Sequence, residues 1–257
     1  MGVGGAVITG YRAALRLNVE IFIKLDGDGQ MDPTLIPLLS EPILCGNADY
    51  AKGNRFFNPE DVQTMPAIRI FGNAVLSFFT KISTGYWNVF DPTNGFTAIH
   101  RSVLQILPLN KIDNRYFFES DMLFRLSTIR AVVMDVPMTA KYDCEKSNLI
   151  VKKIIFPFLI GHGRNLMKRI FYQYFLRDFN IASVELVLGI LMVVFSLVFG
   201  LYQWMLSATT GIVATPGAVM IAALPALAGM QLLLSFLNFD FQNIPSVPLS
   251  SQKRLTK

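Results

Sequence analysis

From Leu186 to Phe239 the chain runs for 54 residues without a charged side chain. A helix rises about 1.5 Å per residue and a bilayer's hydrocarbon core is roughly 30 Å thick, so this stretch can hold two spans of about 20 residues and a turn. The pattern places one span at Val184 to Leu206 and the other at Gly217 to Phe239. Between them, Gly211 and Pro216 suit a turn between antiparallel helices. A helical hairpin buried in a soluble core is the bland alternative, and length argues against it.

Upstream the pattern is that of a mixed domain. Residues 4–17 read as a helix ending near Asn18. Ile21-Phe22-Ile23-Lys24-Leu25 reads as a strand buried on both faces, ending directly at the carboxylate of Asp26. Asp32 can cap a helix that has Pro33 at its first position and continues through Leu39. Further strands are expected at Asp49 to Lys52, Gly95 to Ile99 and Ala131 to Val136, with helices at Ile68 to Thr84 and Phe118 to Ser127. Helices alternating with strands imply an α/β layer.

Composition agrees with this division, since 52% hydrophobic residues and 16% charged ones are unusual for a wholly soluble protein. The net charge of +5 is uneven. Seven cations and no acid lie from Lys146 to Arg177, interleaved with residues such as Ile154, Phe156, Leu159, Phe171 and Phe175. That is how an interfacial amphipathic helix divides its faces, and a membrane explains it better than nucleic acid. Arg177 precedes the hairpin, Lys253, Arg254 and Lys257 follow it, and the turn has no cation, so the positive-inside rule puts both termini in the cytoplasm. Cys45 and Cys144 have no metal-binding or redox spacing and read as reduced thiols.

The chemistry is expected in Asp26-Gly27-Asp28-Gly29-Gln30. Two carboxylates at i and i+2, beside glycines at the end of a strand, leave the backbone open to a bulky ligand. A hard cation such as Mg²⁺ or Mn²⁺ takes oxygen ligands and is commonly completed by substrate phosphates. An EF-hand fails by position, because its glycine would fall on Met31 and its closing glutamate on Pro37. The bland alternative is a solvated turn. His100 and His162 have no metal-binding company and read as structural.

Other segments keep that loop company: Gly-Val-Gly-Gly-Ala (2–6), Asp-Gly-Asp-Gly-Gln-Met-Asp-Pro (26–33), Lys-Gly-Asn-Arg-Phe (52–56), Asp-Pro-Thr-Asn-Gly-Phe (91–96), Tyr-Phe-Phe-Glu-Ser-Asp-Met-Leu (116–123), Asp-Val-Pro-Met (135–138) and Glu-Lys-Ser-Asn-Leu (145–149). In this order they resemble a family 2 glycosyltransferase of the GT-A fold, in the branch of dolichol- and polyprenyl-phosphate sugar synthases. The resemblance implies four regions: a partial GT-A domain (1–150), basic amphipathic interfacial helices (151–182), a transmembrane hairpin (183–240) and a cytoplasmic tail (241–257). It also implies site roles. Asp26, Asp28 and Gln30 would hold Mg²⁺ or Mn²⁺; Lys52, Arg55, Lys146 and Ser147 would meet donor or lipid phosphate; Asp91, Thr93 and Asn94 would line the sugar or acceptor side. Glu119 and Asp121 fall where the family keeps its catalytic carboxylate, and on a helix they point about 200° apart, so one of them faces the donor.

The implied reaction moves a sugar, with inversion, from a GDP- or UDP-sugar to a polyprenyl phosphate in a bacterial inner membrane. An oligomer is compatible with this, and a nucleic-acid partner is not expected. The family's opening strand and the paired aspartates that hold the nucleoside are not found, so a GT-A fold lacking its first βαβ unit, weak nucleotide binding and an exposed sheet edge are expected. Two alternatives stand beside this reading. One is an inactive membrane-bound remnant; the other is a processive polysaccharide synthase, whose Gln-x-x-Arg-Trp motif is not in the sequence.

Overall fold

The computed structural model describes residues 2–27, 29, 31–57, 67–138 and 151–251, and structural statements refer to these. The chain divides into two compact units, residues 1–169 with 244–257, and residues 170–243.

The first unit is built on a four-stranded mixed sheet, β1 (Ile21–Lys24), β2 (Tyr50–Asn54), β3 (Thr97–His100) and β4 (Val133–Pro137), in the order β1-β3-β2-β4. β3 is antiparallel to both β1 and β2, whereas β2 and β4 are parallel. β1, β2 and β4 therefore all run in one direction. α1 (Val3–Ala14), α2 (Ile36–Leu44), α3 (Ala67–Thr84), α4 (Arg101–Ile106) and α5 (Phe118–Thr128) complete the α/β expectation, several starting or ending a few residues from their predicted bounds. α1 stops at Ala14 rather than near Asn18, and the helix after Asp32 opens as a 3₁₀ turn (Pro33–Leu35) and runs on to Leu44. Asp32 caps that turn, its carboxylate accepting from the Thr34 amide at 3.0 Å.

The two faces of the sheet bury separate cores. One side packs Phe22, Tyr50, Ile99 and Val133 with Ile8, Tyr11, Phe118 and Met122, and the other packs Ala51, Ala98 and Val136 with Leu39 and Ile43 of α2. β1 departs from the expectation of a strand buried on both faces. Its burial alternates, with Phe22 and Lys24 inside and Ile21 and Ile23 partly exposed. The reason is its place at one end of the sheet, with β3 as its partner among the described residues.

α6 (Val151–Ile170) inverts the usual amphipathic pattern. His162, Asn165 and Arg169 are buried, while Ile155, Phe156, Leu159, Ile160 and Met167 are exposed. His162 bonds Ser83 through Nδ1 at 2.8 Å, and burial pushes its imidazole down to about 4. That fits the structural reading of this histidine. His100, the other one, caps α4 by accepting from the Ser102 amide. The segment after residue 243 also belongs to this unit: Leu249 and Ser250 each donate a backbone N–H to the buried Asp49 carboxylate at 2.9 Å.

The second unit holds a π-helical turn (Phe171–Arg177), α7 (Ile181–Thr210) and α8 (Pro216–Gln242). α7 and α8 are both long and apolar enough to cross a membrane. Residues 207–210, expected in the turn, are the last of α7, which ends on Gly211 at φ 69°; Thr215 then caps α8 with Pro216 at its first position. The helices meet at Gly189 and Gly229, where an added Cβ would press on the opposite helix within 3.0 Å. Ser196 donates to the Ala222 carbonyl at 2.6 Å and Ser235 to the Glu185 carboxylate at 2.8 Å. Small residues and interhelical hydrogen bonds are the means of packing where no hydrophobic force drives helices together.

Candidate active site

β1, β2 and β4 end along one edge of the sheet, the edge on which open α/β sheets hold ligands. The register sets Lys24 opposite Thr97, Thr97 opposite Lys52 and Lys52 opposite Asp135, so a polar row crosses all four strands. Lys24 and Lys52 are both buried. In the low dielectric of an interior, such cations persist only with anionic or hydrogen-bonding partners.

Lys24 finds two carboxylates. Its ammonium lies 3.1 Å from Asp26 Oδ1, 3.3 Å from Asp26 Oδ2 and 3.3 Å from Glu119 Oε1. Asp26 comes from the loop after β1 and Glu119 from the first turn of α5, 95 residues beyond Lys24. Two glycine-dependent contacts make this meeting possible. At Gly95 a Cβ would run into the Asp26 carboxylate and the Lys24 ammonium. At Gly4 a Cβ would strike the Asp113 carbonyl and the Phe118 ring, so α1 can seat against the start of α5 only without side chains there.

Lys52 is sealed under the next loop and donates to the Asn94 carbonyl. Burial pulls its ammonium down to about 8, against the upward pull of Asp91, Glu119 and Asp135. Asn94 is buried as well: its side chain donates to the Gly53 carbonyl at 2.8 Å and accepts from the Phe96 amide at 3.0 Å, which clamps the loop before β3 to the end of β2. Asp91 is fully enclosed and paired with Arg55, while Thr93 Oγ1 accepts from Arg55 Nη2 at 3.2 Å. Burial pushes the Asp91 carboxyl up, but the Arg55 hydrogen bonds and charge, with Lys52 behind them, outweigh it and hold the group below its ordinary range.

Asp135 ends the row. Its Oδ2 accepts from Asn54 Nδ2 at 3.0 Å and from the Phe90 amide at 2.8 Å, whereas Oδ1 is buried without a hydrogen-bond partner. Burial raises this carboxyl to about 6, with the Phe90 amide and the charge of Lys52 opposing.

Of the two carboxylates on α5, Glu119 joins the Lys24 cluster and Asp121 turns inward. Asp121 is 1% exposed, accepting from the Asp113 amide at 2.9 Å and from Asn165 Nδ2 at 3.0 Å. The structure thus gathers Asp26 with Glu119, Arg55 with Asp91 and Thr93, and Lys52 with Asn94. Asp28, Gln30, Lys146 and Ser147 lie outside the described residues. Lys24 and Asp135 escaped sequence reasoning as site residues. A signal existed for Lys24, a cation closing an apolar strand run, but its partners are far away in sequence.

Among the described residues no group of three or more His, Cys, Asp or Glu side chains is placed to hold a metal ion. The side chain of Asp26, 37% exposed, is nevertheless an oxygen donor of the kind a hard cation takes, and such cations make do with one or two carboxylates when phosphates complete the shell.

Residues 1–107 match the model of glycosyl transferase family 2. Over 174 residues the chain is 32% identical to UDP-N-acetylglucosamine--dolichyl-phosphate N-acetylglucosaminyltransferase of Methanococcus voltae, covering 67% of this chain and 64% of that protein. It is 30% identical over 139 residues to undecaprenyl-phosphate mannosyltransferase of Micrococcus luteus, covering 54% and 56% of the two. Among solved structures, glucosyl-3-phosphoglycerate synthase from Mycobacterium tuberculosis in complex with Mn²⁺, UDP-glucose and phosphoglyceric acid aligns with a TM-score of 0.46 at 17% identity, over 66% of this chain and 55% of that one. The chain spans less than two thirds of the length of these relatives.

Proposed function

We propose, from the match of residues 1–107 to glycosyl transferase family 2, that the protein is a metal-dependent, inverting glycosyltransferase that moves a sugar from a nucleotide-sugar donor to a polyprenyl phosphate in a membrane. The observation that carries the reading is that Asp26 and Glu119 both contact Lys24 at the edge where β1, β2 and β4 end, in a chain that continues into two apolar helices. Relatives named as transferases to dolichyl and undecaprenyl phosphate support the same substrate class.

Asp26, with Asp28 and Gln30, would hold Mg²⁺ or Mn²⁺, which when bound would supply Lewis-acid neutralisation of the charge on the departing diphosphate. The remaining chemistry asks little covalent work of the protein. An oxygen of the lipid phosphate, already anionic near neutral pH, attacks the anomeric carbon as the bond to the diphosphate breaks, and a single displacement inverts that centre. Catalysis then lies in holding the two reactants in line. Glu119 is the α5 carboxylate oriented for the reacting sugar, because Asp121 is spent on internal hydrogen bonds. Arg55 and Lys52 act by shaping the phosphate side: Lys52 brings positive charge beneath the Asn94 loop, and Arg55 fixes Asp91 and Thr93 along the acceptor side. Lys146 and Ser147 are assigned to phosphate near the membrane on sequence grounds.

The exposed apolar side of α6 supports contact with a bilayer surface. The distribution of Lys and Arg supports an orientation with the catalytic domain and both termini cytoplasmic, and a bacterial inner membrane is the proposed setting. The test is transfer of radiolabel from GDP- and UDP-sugars to polyprenyl phosphate in membranes containing the protein. Asp26→Ala and Asp28→Ala should each abolish it, and retention of transfer by both variants would sink the reading.

A further inference from the structure

A buried lysine beside the carboxylate proposed to hold the metal is an unexpected neighbour, because the two cations would have to share one anion. Lys24 touches both oxygens of Asp26; its own side chain is 6% exposed and that of Asp26 37%, so bulk water screens the contact only in part. The same ammonium reaches Glu119 at 3.3 Å on the opposite element. Gly95 leaves the cluster its room, since a Cβ there would run into both Asp26 and Lys24. A simple strand ending would have placed an apolar residue at this inward position, as Phe22 is placed two residues earlier.

Resting on the metal-dependent reading above, we propose that Lys24 is a resident counter-cation: it positions Glu119 beside Asp26 and competes with the divalent ion for the Asp26 carboxylate. With the site metal-free, the ammonium neutralises two carboxylates that would otherwise repel each other. When a divalent ion takes Asp26, Lys24 keeps Glu119 as its partner, so the helix α5 carboxylate stays fixed whether or not metal is bound. Loading of the site is thereby weakened by the protein itself, and a donor that brings its own diphosphate oxygens is favoured over metal alone. Lys24 is a positioning residue in this scheme.

The prediction is a gain, which damage to the fold does not produce. Mn²⁺ alone is titrated into the full chain in detergent micelles and followed by electron paramagnetic resonance of the free ion. Lys24→Met and Lys24→Gln should each bind Mn²⁺ about tenfold or more tightly, given the strength of a unit charge at this range in a partly buried site. Lys24→Arg should bind within about threefold of wild type, since the charge is kept, and Asp26→Asn should lose the site. Equal or weaker binding in both neutral variants, with wild-type binding still dependent on Asp26, overturns the role of Lys24 and leaves the function standing. Absence of Asp26-dependent binding in wild type and neutral variants alike overturns the metal reading, and the role of Lys24 with it.

Discussion

Arg55 grips Asp91 through two parallel hydrogen bonds, Nε to Oδ2 at 2.8 Å and Nη2 to Oδ1 at 3.0 Å, with the carboxylate wholly enclosed. The Arg55 amide adds a third bond to Oδ2 at 3.3 Å. The pair ties the loop after β2 to the loop before β3, and those loops frame one side of the site.

Removing either partner takes the paired hydrogen bonds and the opposite charge from the other, at a carboxylate site that is wholly enclosed. Asp91→Asn and Arg55→Met should each cost about 3–5 kcal/mol, read as a fall in the thermal midpoint of the detergent-solubilised protein. The pH dependence has a definite sign. The Asp91 carboxyl is held below its ordinary value, so its contribution is present above the unfolded-state pKa and is lost as pH falls through the folded one. Wild type should lose stability in acid by an increment that Asp91→Asn does not show.

Asp135 has the opposite sign. Its folded pKa of about 6 exceeds the ordinary 3.8, so the folded state binds the extra proton and stability falls as pH rises between those values. Two units correspond to about 3 kcal/mol at most. Denaturant titrations at pH 4 and pH 7 should show this loss in wild type, and Asp135→Asn should remove that part of the pH dependence.

Gly95→Ala should do more harm than its one carbon suggests. The new Cβ would occupy the place of the Asp26 carboxylate and the Lys24 ammonium, so the cluster must open. Sugar transfer by Gly95→Ala should fall at least about tenfold, a loss of about 1.4 kcal/mol in transition-state stabilisation, while circular dichroism shows the helices retained. An unchanged rate would remove the cluster from the mechanism.

Within the hairpin, Gly229 is packed and Gly200 is not. A Cβ at Gly229 would lie 2.9 Å from the Gly189 carbonyl and 2.9 Å from Val193, whereas one at Gly200 meets nothing nearer than 3.7 Å. Gly229→Ala should destabilise the hairpin by about 1–3 kcal/mol as overpacking, and Gly200→Ala should be silent. Thermal scans of the two variants in micelles compare them directly.

Local order in this protein was legible in the chain. The uncharged run marked α7 and α8, Gly211 and Pro216 marked the break between them, and Asp32 with Pro33 marked a helix start, because spacing, caps and backbone restrictions act over a few residues. The acidic loop after β1 was recognisable for the same reason. Local pattern could not say that β3 inserts antiparallel between β1 and β2, or that β1 lies at the end of the sheet with one face half open. Those outcomes depend on pairings between segments tens of residues apart.

The same distance separates what the sequence by itself determined about the site from what only the tertiary structure decided. The acidic loop named Asp26, and the family resemblance added Lys52, Arg55, Asp91, Asn94, Glu119 and Asp121 as candidates. The folded chain divided them, giving Glu119 to Lys24 and Asp26, turning Asp121 to Asn165, pairing Arg55 with Asp91, and adding Lys24 and Asp135 to the row. A charge's meaning is set by its neighbours and its access to water, and both are fixed when strand register and helix packing bring distant residues to one edge.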